Sequence, residues 1–261
     1  MPGAIPGFTT SSFTHEDATR TIFRRGRGPG VVIMTEIPGI TPTVAAFAER
    51  VAAEGFTVFL PYLFGTPGKP VSAPYALAQI ARVCVGREFS VLASRGSSPI
   101  TSYMRALCRS VHAELGGRGV GAIGMCMTGN FALSLMVDPV VMAPVLTQPS
   151  LPLPIGKERR AGLHLSEADL AVVKQRTAAG VTVLGMRFTH DPLCPGERFA
   201  RLRAELGDGF EGIEIDSSPG NPHKIKSLAH SVLTEDLVDE AGHPTHTALM
   251  RVLAFLRERL L

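Results

Sequence analysis

Cys126 stands in Val120-Gly121-Ala122-Ile123-Gly124-Met125-Cys126-Met127-Thr128-Gly129-Asn130, where an apolar strand passes through two flanking glycines into the apolar helix Phe131 to Val137. A chain that turns abruptly from strand to helix strains the turn residue and lifts its side chain above the sheet, at a helix N-terminus. The unpaired N–H groups there carry roughly half a positive charge, which favours thiolate over thiol and lowers a cysteine from its free pKa of about 8.5. Gly124 and Gly129 mark places where a β-carbon would collide as the chain folds back. A free cysteine is ordinarily a small buried hydrophobe. The strand, Gly-x-Cys, helix context reads Cys126 as a nucleophile instead.

Such a thiol needs a base to hold its proton and a carboxylate to orient that base. Asp191 directly follows the apolar run Val181 to Phe188, and His230 lies beyond the last strand in Ser227-Leu228-Ala229-His230-Ser231. Three more histidines are alternatives for the base. His223 sits in the turn Gly220-Asn221-Pro222-His223 and reads as solvated, while His243 and His246 read as a helix cap and a surface residue. His190 adjoins Asp191 with a side chain expected to diverge from it. Cys194 reads as a loop residue, and Cys84 and Cys108 read as core packing on helices.

The elements that must position these groups alternate from Gly30 onward, short apolar runs with amphipathic segments, the pattern of βαβ units and a mostly parallel sheet covered by helices on both faces. Strands are expected at Val31 to Met34, Phe56 to Leu60, from Val120 into the cysteine turn, and at Val140 to Leu146, Val181 to Phe188 and Phe210 to Ile215. Helices are expected at Pro42 to Glu54, Pro99 to Leu115, after the N-cap Ser166, at Pro195 to Leu206 and at Pro244 to Leu260. Phe8 to Phe23 reads as an antiparallel edge hairpin. The Pro- and Gly-rich stretches Gly65 to Pro74 and Gln148 to Pro154 break the rhythm, and such segments on this kind of sheet shape or cover a ligand site.

With 261 residues, one α/β domain spanning 1–261 suffices. A net charge of +3 is spread thinly and forms no stripe for nucleic acid; Arg20, Arg24, Arg25 and Arg27 cluster on the expected hairpin. No apolar run approaches membrane-spanning length, and no leader pattern opens the chain, so a cytoplasmic protein without membrane or nucleic-acid partners is expected. The four cysteines form no CxxC pair and have no histidine at metal-ligand spacing, so neither a zinc site nor a disulfide framework is expected; a cysteine nucleophile with a histidine base requires no metal or organic cofactor, and none is expected.

On these residues the chain resembles the dienelactone hydrolase family of α/β-hydrolases, from about residue 30 to the end. The family has a Cys-Asp-His triad in this chain order, a Gly-Tyr-Cys-Leu-Gly-Gly-like nucleophile motif, and a strand ending in Glu-Ile-Phe-Gly. Here the second motif reads Glu36-Ile37-Pro38-Gly39, after Val31-Val32-Ile33-Met34-Thr35. The resemblance implies that Glu36 lies beside the resting thiol and takes part in its activation. It also implies an oxyanion hole made by the backbone N–H groups of Ile37 and Met127. Independently of the family, a buried carboxylate can take a thiol proton and two converging N–H donors stabilise a tetrahedral oxyanion.

The chain departs from the family at Thr128, Met125 and Pro38, and its loop Ser217 to Ala229 is longer. Some relatives clamp a substrate carboxylate with two arginines. Arg87 is the candidate for the first; the second position, four residues after the histidine, is Thr234. The activity expected is cleavage of a small carboxylic ester or lactone through a cysteine acyl-enzyme. A thioesterase or acyltransferase on the same fold, or a non-catalytic ligand-binding or redox-sensing member, are the alternatives. The oligomeric state is left between monomer and weak dimer.

Overall fold

Runs such as Val31 to Met34 are apolar at every position, so they suit strands buried on both faces and leave no solvated side. The computed structural model describes residues 3–85 and 99–261. Its strands are β1 (Thr9–His15), β2 (Ala18–Gly26), β3 (Gly30–Met34), β4 (Thr57–Pro61), β5 (Val120–Met125), β6 (Val141–Thr147), β7 (Val183–Phe188) and β8 (Phe210–Ile215). They form one sheet in the order β1-β2-β4-β3-β5-β6-β7-β8. The expected edge hairpin is β1 and β2, antiparallel to each other, with β2 antiparallel to β4. Every pairing from β4 to β8 is parallel.

Helices α1 (Pro42–Ala53), α2 (Ala73–Val85), α3 (Pro99–Leu115), α4 (Gly129–Leu135), α5 (Gly156–Arg160), α6 (Glu167–Ala178), α7 (Gly196–Leu206) and α8 (Pro244–Leu260) complete the described elements. Alternate residues of β3 serve two apolar layers. Val31 and Ile33 pack in one cluster with Val44, Phe47 and Val51 of α1 and Leu249, Val252 and Leu253 of α8. Val32 and Met34 pack in the other with residues of α3, α4, α6 and α7, among them Met104, Phe131, Val173 and Phe199. Each such side chain stabilises the fold by roughly 1.5–3 kcal/mol on burial, so the sheet is a rigid platform for the loops at its edge.

The ends of the elements follow local chemistry. Thr41 caps α1 by accepting the Val44 N–H, Ser166 caps α6 by accepting that of Asp169, and His243 caps α8 by accepting that of Thr245. β7 begins two residues after the apolar run does because the Val181 N–H closes the end of α6 on the Arg176 carbonyl at 3.1 Å. Two helices lie outside the expected set: α2, foreshadowed only as the helix carrying Cys84, and α5, which buries no residue. Among the described residues no helix is long and apolar enough to cross a membrane.

Candidate active site

Parallel pairing brings the C-terminal ends of β3, β5, β6, β7 and β8 to one edge of the sheet, the edge where open α/β folds bind ligands. Cys126 opens a single 3-10 turn, Cys126–Thr128, between β5 and α4, and its backbone is left-handed at φ 54°. That conformation is costly for a non-glycine residue and marks a functional constraint. Both flanking glycines are required by close approach. A β-carbon on Gly124 would lie 2.2 Å from the Thr128 carbonyl oxygen, and one on Gly129 would lie 2.5 Å from Pro149 Cα.

Thr128, where the family has glycine, fastens this turn. Its hydroxyl accepts the Met125 N–H at 2.9 Å and lies 2.7 Å from the Met34 carbonyl, tying the cysteine turn to the end of β3. Since Met34 pairs with Gly124 in register, Ile37 and Met127 stand equally far beyond a paired position on neighbouring strands. Both residues are half-buried.

Asp191 and His230 meet. The Asp191 carboxyl accepts from His230 Nδ1 at 2.7 Å through Oδ2 and from the Leu193 N–H at 2.9 Å through Oδ1. Its side chain is fully buried. His230 Nε2 is buried without a well-formed hydrogen bond. Burial works against charge on this imidazole, but the neighbouring Cys126 sulfur and then the Asp191 hydrogen bond carry its pKa well above the usual histidine value. The sulfur, the imidazole and the carboxyl therefore form one electrostatic unit.

The other sequence candidates lie elsewhere. His223 is exposed and packs edge-on against His243, ring centres 5.3 Å apart. His246 pairs with Asp239 at 2.9 Å, and His190 is exposed beside Thr189. Cys108 and Cys194 are fully buried, which pushes the Cys108 thiol up to about 12 and the Cys194 thiol above its ordinary value as well. Arg87 lies outside the described residues.

Glu36 is buried, 3% exposed, and its partners are neutral. Ser231 Oγ donates to Oε2 at 2.7 Å, Gln148 Nε2 donates to the same oxygen at 3.1 Å, and the Thr234 hydroxyl donates to Oε1. Its pKa is raised by burial, against the pull of these donors and of His230. The carboxyl thus reaches His230 electrostatically, through the segment that carries it, and makes no hydrogen bond to the sulfur. Thr234 occupies the position of the second clamp arginine and holds Glu36.

Several residues of the site were not singled out by sequence reasoning. Asp236 accepts the N–H groups of His230 at 2.8 Å and Ser231 at 3.0 Å, fixing the histidine's backbone. Asn221 organises the long loop before it, donating to the Ser218 and Ile225 carbonyls and accepting the Ile225 N–H. Two buried arginines brace the neighbouring loops. Arg187 donates to the Cys194 and Thr189 carbonyls at 2.7 and 2.8 Å and pairs with Glu214, holding the loop of Asp191. Arg198, fully buried, donates to four carbonyls, those of Pro149, Pro152, Arg159 and Gly162, and holds the stretch Gln148 to Pro154.

A sequence model of the dienelactone hydrolase family matches residues 18–258. The chain belongs to the dienelactone hydrolase family. A Saccharomyces cerevisiae protein named "Putative carboxymethylenebutenolidase" is 27% identical over 121 residues, 44% of this chain and 41% of that protein, so the match spans less than half of that relative. Among solved structures, a dienelactone hydrolase-like promiscuous phosphotriesterase from metagenomic libraries superposes with TM-score 0.64 at 18% identity, covering 97% of this chain and 98% of the other. Dienelactone hydrolase from Anabaena variabilis gives 0.61 at 13% identity, with 97% and 98% covered. These likenesses establish the α/β-hydrolase fold, and the family to which the chain belongs is one of hydrolases.

Proposed function

We propose that this protein, as one α/β-hydrolase domain, cleaves a small carboxylic ester or lactone through an acyl-thioester on Cys126. The observation that carries the reading is the strained Cys126 at a strand-to-helix turn, next to an imidazole whose Nδ1 is held by Asp191 at 2.7 Å. The Cys126 thiolate attacks the carbonyl carbon, and the electron pair moves onto oxygen, where the backbone N–H groups of Ile37 and Met127 stabilise the oxyanion. Collapse expels the alkoxide, which takes the proton of His230 Nε2; in a lactone this leaving group stays tethered. His230 then takes a proton from water, hydroxide adds to the thioester, and collapse returns the thiolate and releases the carboxylic acid.

Asp191 orients His230 and stabilises its cation. Glu36, a buried carboxyl that His230 reaches electrostatically, takes part in the activation of the thiol. The chemistry needs no metal or organic cofactor. A panel of small esters and lactones run on wild type beside Cys126→Ala tests the reading. The expected result is turnover by wild type and a loss of about 10³-fold or more in the variant. Equal turnover by both would end the assignment of Cys126.

A further inference from the structure

Ser150 lies in the loop after β6, in a stretch whose sequence shows only proline punctuation, yet it holds Cys126 twice. Its N–H donates to the Cys126 carbonyl at 2.9 Å, and its hydroxyl lies 3.6 Å from Cys126 Sγ, within hydrogen-bonding reach for sulfur. The same hydroxyl lies 3.0 Å from the Gln148 carbonyl. Ser150 is buried, and its place is fixed from both sides. Arg198 grips the carbonyls of Pro149 and Pro152, and Pro149 abuts Gly129 at the start of α4 so closely that no β-carbon fits between them.

One hydroxyl proton therefore faces two acceptors. A neutral thiol is a weak acceptor, so beside it the proton belongs on the Gln148 carbonyl. A thiolate is a charged acceptor and forms a markedly stronger bond. We propose that Ser150 is a positioning residue of the nucleophile, its hydroxyl turning from the Gln148 carbonyl to Cys126 Sγ when the sulfur is ionised. This deepens the reading of Cys126 as the nucleophile and rests on it for its consequence in turnover. The titratable group that meets the sulfur is His230 after β8, with Asp191 of the β7 loop on its Nδ1 and Glu36 of the β3 loop acting on it electrostatically. Ser150 adds a neutral donor from the β6 loop.

The test reads the pH profile of Cys126 alkylation by iodoacetamide, site by site through peptide mass mapping, in wild type, Ser150→Ala and Ser150→Thr. Loss of the donor destabilises the thiolate, so the midpoint in Ser150→Ala is expected to rise by about half a pH unit or more, a roughly threefold smaller thiolate fraction below the midpoint. Ser150→Thr, which keeps the hydroxyl, is expected to return toward wild type. In ester turnover kcat/KM should fall by about the same factor. Coincident profiles for wild type and Ser150→Ala overturn the proposal, as does a Thr variant shifted as far as the Ala variant. If Ser150→Ala loses its fold, Ser150→Gly carries the same measurement. The alkylation arm decides on Ser150 whether or not the panel of esters is turned over, so failure of the hydrolase reading and failure of this one are told apart.

Discussion

Asp191 and Glu36 are both buried carboxyl groups at the C-terminal edge of the sheet, and they are held in opposite ways. Asp191 meets a backbone N–H and an imidazole that can become a cation. Glu36 meets two hydroxyls and a carboxamide, all neutral, and its pKa is raised. A carboxyl bonded to an imidazole can orient that ring, whereas burial among neutral donors alone raises a carboxyl's pKa. One edge of the sheet thus holds two buried carboxyl groups in two different environments.

The comparison is broken most readily at the first of the two. Asp191→Asn and His230→Ala are each expected to lower kcat by about 10³-fold or more with the fold intact, and their double variant to lose little beyond that, because triad members act as a unit. Losses that multiply in the double variant would contradict the assignment, and so would equal damage from His223→Ala. The thiols supply the next largest contrast. Cys126 is expected to react with iodoacetamide at least about 100-fold faster than Cys108 or Cys194, whose burial keeps their thiols protonated. Preferential labelling of either would remove the nucleophile from the cysteine turn.

The turn at Cys126 and the chain order of Asp191 and His230, which the fold brings together, were legible because their signals are local. Gly124 and Gly129 announce the tight turn, the apolar run before Cys126 has no polar position for a solvated face, Asp191 follows an apolar strand, and His230 lies beyond the last strand. The order of the helices and even the caps Thr41 and Ser166 come from short-range chemistry. The partners of Glu36 were not legible, since Gln148 and Thr234 stand 112 and 198 residues from it in the chain. Periodicity reports which face a residue occupies, and carries nothing about which distant loop meets it there. The same holds for Ser150 and for Arg198, a charged residue on a helix that would ordinarily face solvent and here is buried because four carbonyls converge on it.

Glu36→Gln sharpens the second half of the comparison. The variant keeps an oxygen for Thr234 or Ser231, and the buried Oε1 of Gln148, which has no partner in the wild type, can turn to accept the new amide. Acylation is expected to slow by about tenfold, roughly 1.4 kcal/mol of barrier. The stability effect has a sign fixed by linkage. The folded pKa lies above the ordinary value of 4.5, so the folded state retains a proton that the unfolded chain gives up. The resulting stabilisation is complete below 4.5 and is lost as pH rises through the folded value. Glu36→Gln cannot ionise. Its melting temperature relative to wild type should therefore climb as the buffer is moved from about pH 5 to about pH 8, roughly spanning a raised carboxyl pKa. A difference that stays constant across that range would show Glu36 to be ionised throughout and the comparison with Asp191 to be mistaken.

The smallest expected effect, and the one that isolates the neutral donors, belongs to Thr234→Val. Valine fills the space of threonine and removes only the hydroxyl that donates to Glu36 Oε1. Ser231 and Gln148 both address Oε2, so Oε1 loses its side-chain donor. A buried acceptor left unmatched costs about 1–3 kcal/mol, toward the upper end when it is charged. The cost of Thr234→Val should therefore grow with pH as Glu36 ionises, while kcat falls only about two- to threefold because the triad is untouched. Denaturant unfolding at pH 5 and pH 8, in wild-type and Glu36→Gln backgrounds, reads this directly. In the Glu36→Gln background nothing ionises, and the cost should be the same at both pH values. If Thr234→Val costs equally at both pH values in the wild-type background too, its hydroxyl does not distinguish the charged carboxyl from the neutral one, and the threonine at the clamp position is there for its shape.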